Sequence, residues 1–294
     1  MRIVSFLPAA TEMACALGLD DQLVGVSHEC DFPSSVRGLP VVVRNAIRLE
    51  GLSPREIDDA VRRRLHDGGS LYEVDEVLLA DLAPDLILTQ DLCQVCAPSG
   101  NEVAEALRAL ASRPDILWFT PRTLADIDAN LRSLGVATDR VECAERVIAT
   151  GHARLRAIEE RAASLGRRPR VFVAEWLEPI YASGHWVPEM VACAGGTDSV
   201  GRVGAESVRV AFEDVAAWDP DVVVVAPCGY GIDEASRQAR ALATMPGWRD
   251  LAAVRAGRVA AVDANAYVAR PGPRIIDGVE QLARIIRAAV TASP

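Results

Sequence analysis

The residues of this 294-residue chain best suited to chemistry are its seven cysteines and four histidines, and several of them stand beside short apolar runs. His28, Glu29 and Cys30 follow LVGVS, Cys93 and Cys96 follow LILTQ, and Cys228 follows VVVVAP. A short apolar run entered by a turn reads as a buried parallel strand. Ligands of open α/β sheets bind beyond the carboxyl ends of such strands, so these thiols are expected on one rim. His185, Trp186 and Glu189 fall in a loop and early helical turn of the second half. Thiolate and imidazole are the ligand set of zinc, held tetrahedrally at about 2.0 to 2.3 Å. A thiolate also suits copper(I) or an axial position on the cobalt of a corrinoid. The metal candidates are therefore Cys30, Cys93, Cys96, Cys228, His28, His185 and Glu189, and spacing does not choose among these metals.

Competing chemistry is weaker. A redox Cys-x-x-Cys begins a helix, where the macrodipole lowers the first thiol's pKa, but Pro98 moves the helix start to about Ser99. Cys15, Cys143 and Cys193 sit at apolar helical positions and are expected to pack. His66 and His152 belong to polar helical stretches and are expected in solvent. Trp186 and Tyr230 have flat rings to offer a planar ligand. There is no Gly-x-Ser-x-Gly elbow, no phosphate-cradling Gly-x-x-x-x-Gly-Lys and no dinucleotide fingerprint. No catalytic residue is assigned and the chain is read as a binder and not an enzyme, with a Cys-His nucleophile pair kept as the least favoured reading.

The elements that position these groups alternate. IVSFL, LVGVS, VVV, DLILT and ILWFT are strand candidates, and residues 54–66, 75–82 and 101–111 have helical spacing. Such alternation implies a parallel sheet with crossover helices. From Thr123 to Leu165 apolar residues recur at helical intervals, interrupted at Gly135, and a helix over Thr138–Ser164 spans about 40 Å at about 1.5 Å per residue. VFVAEW then opens a second alternating region. Two phrases recur across the halves: Pro84-Asp85 and Pro220-Asp221 each enter an apolar run, and Glu12-Met13 to Gly18 matches Glu189-Met190 to Gly195. The first half carries about forty residues more between its phrases, an insertion placed around 28–75. The expected organisation is an α/β lobe over 1–122, a helical link over 123–166 and a second α/β lobe over 167–294. Each lobe is Rossmann-like around a central parallel sheet, with a ligand crevice between lobes.

Composition excludes several classes. Hydrophobic residues make up 50% and charged residues 24%, ordinary globular values without an 18-residue uncharged apolar stretch, so no membrane span is expected. A net charge of −10 argues against nucleic acid, which requires a basic surface to release counterions. The first residues fail as a secretory signal because Pro8, Thr11 and Glu12 break the run. The expected compartment is the cytoplasm, or outside it if translation starts upstream of Met1.

With this layout the chain resembles the substrate-binding proteins of class III ABC importers, the cobalamin and iron-siderophore binders whose two α/β lobes are joined by one long helix. The resemblance rests on IVSFLPAATEMACALG with VGVSHECDFP, on LLADLAPDLIL, on EPIYASGHWVPEMVACAGG, on FEDVAAWDPDVVVV and on AYVARPGPRII. It implies a cobalamin-like or iron-chelate ligand in the crevice, with Tyr181 and Tyr267 as stacking rings, Arg270 at the ligand's amide periphery, and Pro8 and Ala9 at the crevice floor. His28, Glu29, His185, Trp186 and Tyr230 complete the expected ligand contacts, and Glu102 is the expected contact to an importer permease. The alternatives are a cytoplasmic Cys/His protein binding zinc or another soft metal, and a thiol-dependent enzyme on the same scaffold.

Overall fold

The computed structural model describes residues 1–90, 104, 106–108, 110 and 112–291. The chain divides into two compact units, Met1–Pro121 with Asp126–Ile148, and Arg122–Ala125 with Ala149–Pro294.

The first unit holds a six-stranded sheet. Its strands are β1 (Ile3–Ser5), β2 (Leu23–Ser27), β3 (Val41–Asn45), β4 (Tyr72–Val74), β5 (Leu86–Thr89) and β6 (Asp115–Trp118), in the order β4-β3-β2-β1-β5-β6. All neighbours are parallel except β4, which runs antiparallel to β3 at the edge. The central strands β1 and β5 are buried throughout, which is why they read as unbroken apolar runs and not as alternation. Val4, Phe6, Val42, Val43, Leu79 and Ile87 form the core. Helix α1 (Pro8–Ala16) follows β1 directly, with a proline in its first turn where the missing N–H costs nothing. Helix α2 (Pro54–His66) starts on a capping box in which Ser53 and Glu56 bond reciprocally, and α3 (Glu76–Leu82) starts on the Asp75 side chain.

Two helices follow. The first, α4 (Leu124–Ala137), runs through Gly135 without breaking there. Its end comes instead before Asp139, which takes a left-handed φ of +55°. Glycine serves contact at position 135: an added Cβ would stand 2.9 Å from that of Ala144. The long helix is α5 (Val141–Ala163), 23 residues or about 34 Å at about 1.5 Å per residue, and the boundary between the two units falls inside it.

The second unit holds five strands, β7 (Val171–Leu177), β8 (Ile180–Ala182), β9 (Val208–Arg209), β10 (Val222–Val225) and β11 (Val259–Ala261), in the order β11-β10-β7-β8-β9. β7, β10 and β11 are parallel, whereas β8 and β9 are antiparallel additions. Phe172, Ala174, Val223, Val225, Leu242 and Trp248 fill the core. Its helices are α6 (Val187–Cys193), α7 (Phe212–Trp218), α8 (Ile232–Ala241), α9 (Ala252–Arg255), α10 (Ala264–Tyr267) and α11 (Ile275–Thr291). The fold is thus α/β with two parallel-rich sheets and a helical connection, as expected, but neither sheet is wholly parallel. The short antiparallel strands β4, β8 and β9 have no long apolar run to announce them.

Candidate functional site

In the second unit the site is built on the carboxyl ends of β7, β10 and β11. Near its end β7 carries Glu175-Trp176, and its register against β8 slips there: Ala174 pairs with Ala182 but Trp176 with Tyr181. One residue too many lies on β7, a β-bulge centred on Glu175, and bulges re-aim side chains beside functional sites. Beyond the bulge, Trp176 stands opposite Tyr181, and Tyr181 opposite Arg209 of β9. Residues directly opposite across antiparallel strands share a face. After β10 the chain turns through Cys228 to Tyr230, whose ring stacks on Trp176 at 5.6 Å and 29°. The result is a strip of Tyr230, Trp176, Tyr181 and Arg209. β11 leads into α10, at whose end Tyr267 carries the Arg274 guanidinium 5.9 Å from its ring centre, within cation–π range. Arg270 follows, half-buried.

The turn Ser183–Trp186 flanks this strip. His185 adopts a left-handed φ of +50°, a conformation uncommon outside glycine but one in which histidine, like asparagine and aspartate, is enriched. Its N–H donates to the Ala205 carbonyl at 2.6 Å, its carbonyl accepts from Gly204 at 2.9 Å, and its ring lies against Trp186 at 5.4 Å. The buried Nε2 of His185 has no hydrogen-bond partner among the described residues. Burial pushes the imidazole pKa down, with Glu206 opposing and Arg122 assisting, so the ring is neutral at pH 7 with one nitrogen able to accept.

Other predicted residues have other duties. Trp186 is only 5% exposed and donates its indole N–H to the Val268 carbonyl at 2.9 Å, so its ring belongs to the core and offers little face to a ligand. Glu189 accepts the Leu124 N–H at 2.8 Å, satisfying one of the open donors at the start of α4. Cys228 is exposed and donates its backbone N–H to the Glu175 carbonyl.

In the first unit, Pro8 and Ala9 are buried in the first turn of α1. His28 and Glu29 are half-buried just past β2. His28 Nδ1 lies 3.2 Å from the Val43 carbonyl and the Glu29 N–H bonds Ser27 Oγ. Cys30 is 7% exposed, with its Sγ 3.1 Å from the Thr11 hydroxyl. That thiol is packed inside against Thr11, not presented on a rim. Cys93, Cys96 and Glu102 lie outside the described residues. Among the described residues no group of three His, Cys, Asp or Glu side chains could hold a metal, so His28, Cys30, His185, Glu189 and Cys228 form no such centre. Burial pushes the thiols of Cys15 and Cys193 up to about 12, Asp20 assisting at the first and Glu159 at the second. Cys193 lines a recess of about 490 Å³ with Glu159, Arg167 and Arg168 at the end of α5, away from the strand ends. His66 and His152 are exposed, as expected. Trp176 and Glu175, the two residues at the bulge, were not singled out by sequence; the only hint was an acid and an indole closing the apolar VFVA run.

The family model described as periplasmic binding protein matches residues 3–266. The chain belongs to that family. A vitamin B12-binding protein of Vibrio cholerae is 26% identical, over 98% of this chain and 90% of that protein. An uncharacterized ABC transporter substrate-binding lipoprotein of Bacillus subtilis is also 26% identical, over 97% of this chain and 79% of the other. Among solved structures, the periplasmic vitamin B12 binding protein of Vibrio cholerae superposes with a TM-score of 0.69 at 26% identity, covering 98% of this chain and 97% of that one. A periplasmic heme-binding protein from Roseiflexus sp. RS-1 gives 0.73 at 23% identity, with 98% of each chain covered, a likeness of fold. Membership runs against the cytoplasmic expectation, since the family is one of periplasmic binding proteins. No helix of the described residues is long and apolar enough to cross a membrane.

Proposed function

We propose that the protein is the substrate-binding component of an ABC importer and takes a cobalamin-like ligand, with the ligand's flat ring system resting on the strip Tyr230, Trp176 and Tyr181. The observation that carries the reading is the stacked Trp176–Tyr230 pair at the strand ends of the second unit, in a chain 26% identical over nearly its whole length to a vitamin B12-binding protein. Stacked rings present an apolar platform whose edges carry polar handles. Arg209, Tyr267 and Arg270 supply donors for carbonyl groups around such a ring, and ligand pockets combine apolar walls with a few placed polar groups in this way. The neutral imidazole of His185 adds an acceptor without adding charge.

The metal-sequestering alternative loses its basis with the dispersal of its described ligands. An iron-chelate or haem ligand is the second reading, favoured by the fold shared with heme-binding proteins. The reading places the protein outside the cytoplasm with a permease as partner, and Glu102 remains the residue proposed for that contact.

The test is titration of the purified protein with cyanocobalamin, haemin and a ferric hydroxamate, followed by tryptophan quenching and visible absorbance. The expected result is saturable one-to-one binding of cyanocobalamin with a Kd of about 1 μM or tighter, about −8 kcal/mol. Binding of haemin or the ferric chelate alone supports the second reading, and binding of none of the three overturns both.

A further inference from the structure

The bulge places a carboxylic acid where the strip needs none. Glu175 is the extra residue of β7, and its side chain lies beneath the turn Ser183–Trp186 and not on the aromatic strip. Its Oε1 accepts the Gly184 N–H at 3.1 Å and its Oε2 bonds the Ser207 hydroxyl. One carboxyl therefore joins the turn to the segment that precedes β9. Gly184 is pressed onto that segment so closely that an added Cβ would run into the backbone of Ala205, Glu206 and Ser207. A second acid, Asp198, secures the neighbouring residue: it accepts from the Ser183 hydroxyl at 2.7 Å and from the N–H groups of Gly201 and Val200. Directly after these two anchored residues His185 is held at its left-handed φ by its own backbone bonds to Ala205 and Gly204. Residues in such conformations persist only where their surroundings over-determine them.

We propose that Glu175 is a positioning residue for the ligand-contacting turn: its carboxyl fixes Gly184 and Ser207 together and thereby sets how His185 is presented beside the Trp176 strip. This rests on the reading of that strip as the ligand face. The chemistry of the anchor adds a consequence. Desolvation raises the Glu175 carboxyl to about 7, against the bonds from Ser207 and Gly184 that lower it, and the negative charge of Asp198 raises it further. Glu206 and Arg122 act on His185, and Arg202 joins the turn through its backbone N–H to the Ser183 carbonyl. A protonated Glu175 still accepts from Gly184 through one oxygen and donates to Ser207 through the other. An ionised one must keep a charge in a desolvated place. Opening the turn lets the charged carboxyl reach water, so the closed turn is most favoured at low pH and opens more readily as pH rises through about 7.

Hydrogen–deuterium exchange of the ligand-free protein tests this directly, reading the peptide amides of residues 184–187 at pH 6.0 and 8.5 after correction for intrinsic rates. In the wild type, protection is expected to fall about tenfold between the two pH values. In Glu175→Gln, which keeps both bonding positions and has no proton to lose, protection stays the same at both, and Ser207→Ala lowers it at pH 6.0 while leaving the Glu175 carboxyl group in place. Equal protection in all three proteins at both pH values overturns the proposal. The cyanocobalamin Kd, measured in parallel, is expected to weaken several-fold from pH 6.0 to 8.5 in the wild type and to stay flat in Glu175→Gln. Should the wild type bind none of the probes, the ligand reading fails while the exchange data still decide the role of Glu175.

Discussion

Asp221 accepts the backbone N–H of Arg170 at 2.8 Å, and the Asp221 N–H returns a bond to the Arg170 carbonyl at 2.8 Å. The first unit repeats this exchange with Arg2 and Asp85, at 2.7 and 2.8 Å. In both, the arginine side chain reaches the carbonyl at the end of the preceding helix, Leu82 or Trp218, and a left-handed residue, Ala83 or Asp219, makes the turn. The recurring Pro-Asp phrase is therefore a clamp that sets β1 against β5 and β7 against β10.

Removal of the clamp should cost stability. Asp221→Ala leaves a backbone donor without its charged acceptor and should lower the unfolding free energy by about 1–2 kcal/mol. Asp85→Ala, at a more exposed position, should cost less. Urea denaturation of both variants against the wild type measures the difference as a shift in midpoint at constant slope.

Gly278 in α11 has no room for a side chain, because an added Cβ meets the Tyr267 carbonyl oxygen and stands 2.8 Å from Met190. Gly278→Ala should destabilise by about 1–3 kcal/mol through overpacking and should move Tyr267. The first effect appears in thermal unfolding, the second as weaker ligand binding out of proportion to the loss of stability.

Stability should depend on pH in a direction set by the turn. The folded-state pKa of Glu175 is above its unfolded value, so its contribution is full below about 4.5 and is lost as pH rises through about 7. Asp198, raised by burial, acts in the same sense. His185 acts oppositely: with its folded pKa lowered, its contribution is present above the ordinary histidine range and lost as pH falls below it. Urea midpoints of wild type and Glu175→Gln from pH 5 to 8.5 should converge at the acid end and diverge toward the alkaline end, the wild type falling more.

Thiol labelling should rank the described cysteines by environment. Cys228 is exposed and should react within minutes with a maleimide at pH 7.5. Cys15 and Cys193, with pKa values pushed up to about 12, should react only on unfolding, since the thiolate is the nucleophile. Peptide mass spectrometry of the labelled protein reads the order.

Much of this architecture is legible in the sequence where apolar runs are long enough to be buried on both faces. LVGVS, residues 54–66 and the Val222–Val225 run form the elements their patterns announce. The repeat is real on one half of each sheet, where β1, β5 and β6 correspond to β7, β10 and β11. It ends on the other half, where the first unit adds the parallel β2 and the second unit the antiparallel β8. Strands of two or three residues such as β4, β8 and β9 exist because a neighbouring edge offers hydrogen bonds, and period-based reading has too few residues to detect them. The thiols misled for a related reason. A residue just past a strand is positioned by its turn, so Cys30 turns inward to Thr11 while Cys228 stays outside. Trp176 and Glu175 were hidden because a one-residue bulge inverts which side chain faces the site, and no pattern in VFVAEW encodes the slip.

The proposed function rests on the Trp176–Tyr230 pair as the platform for a cobalamin-like ligand. Calorimetric titration of cyanocobalamin into wild type and into Trp176→Ala/Tyr230→Ala tests it, with circular dichroism establishing that the variant is folded. One site is expected in the wild type, with a loss of at least tenfold in affinity in the variant, the equivalent of about 1.4 kcal/mol or more. Unchanged affinity in a folded variant, or no heat of binding in the wild type, would contradict it.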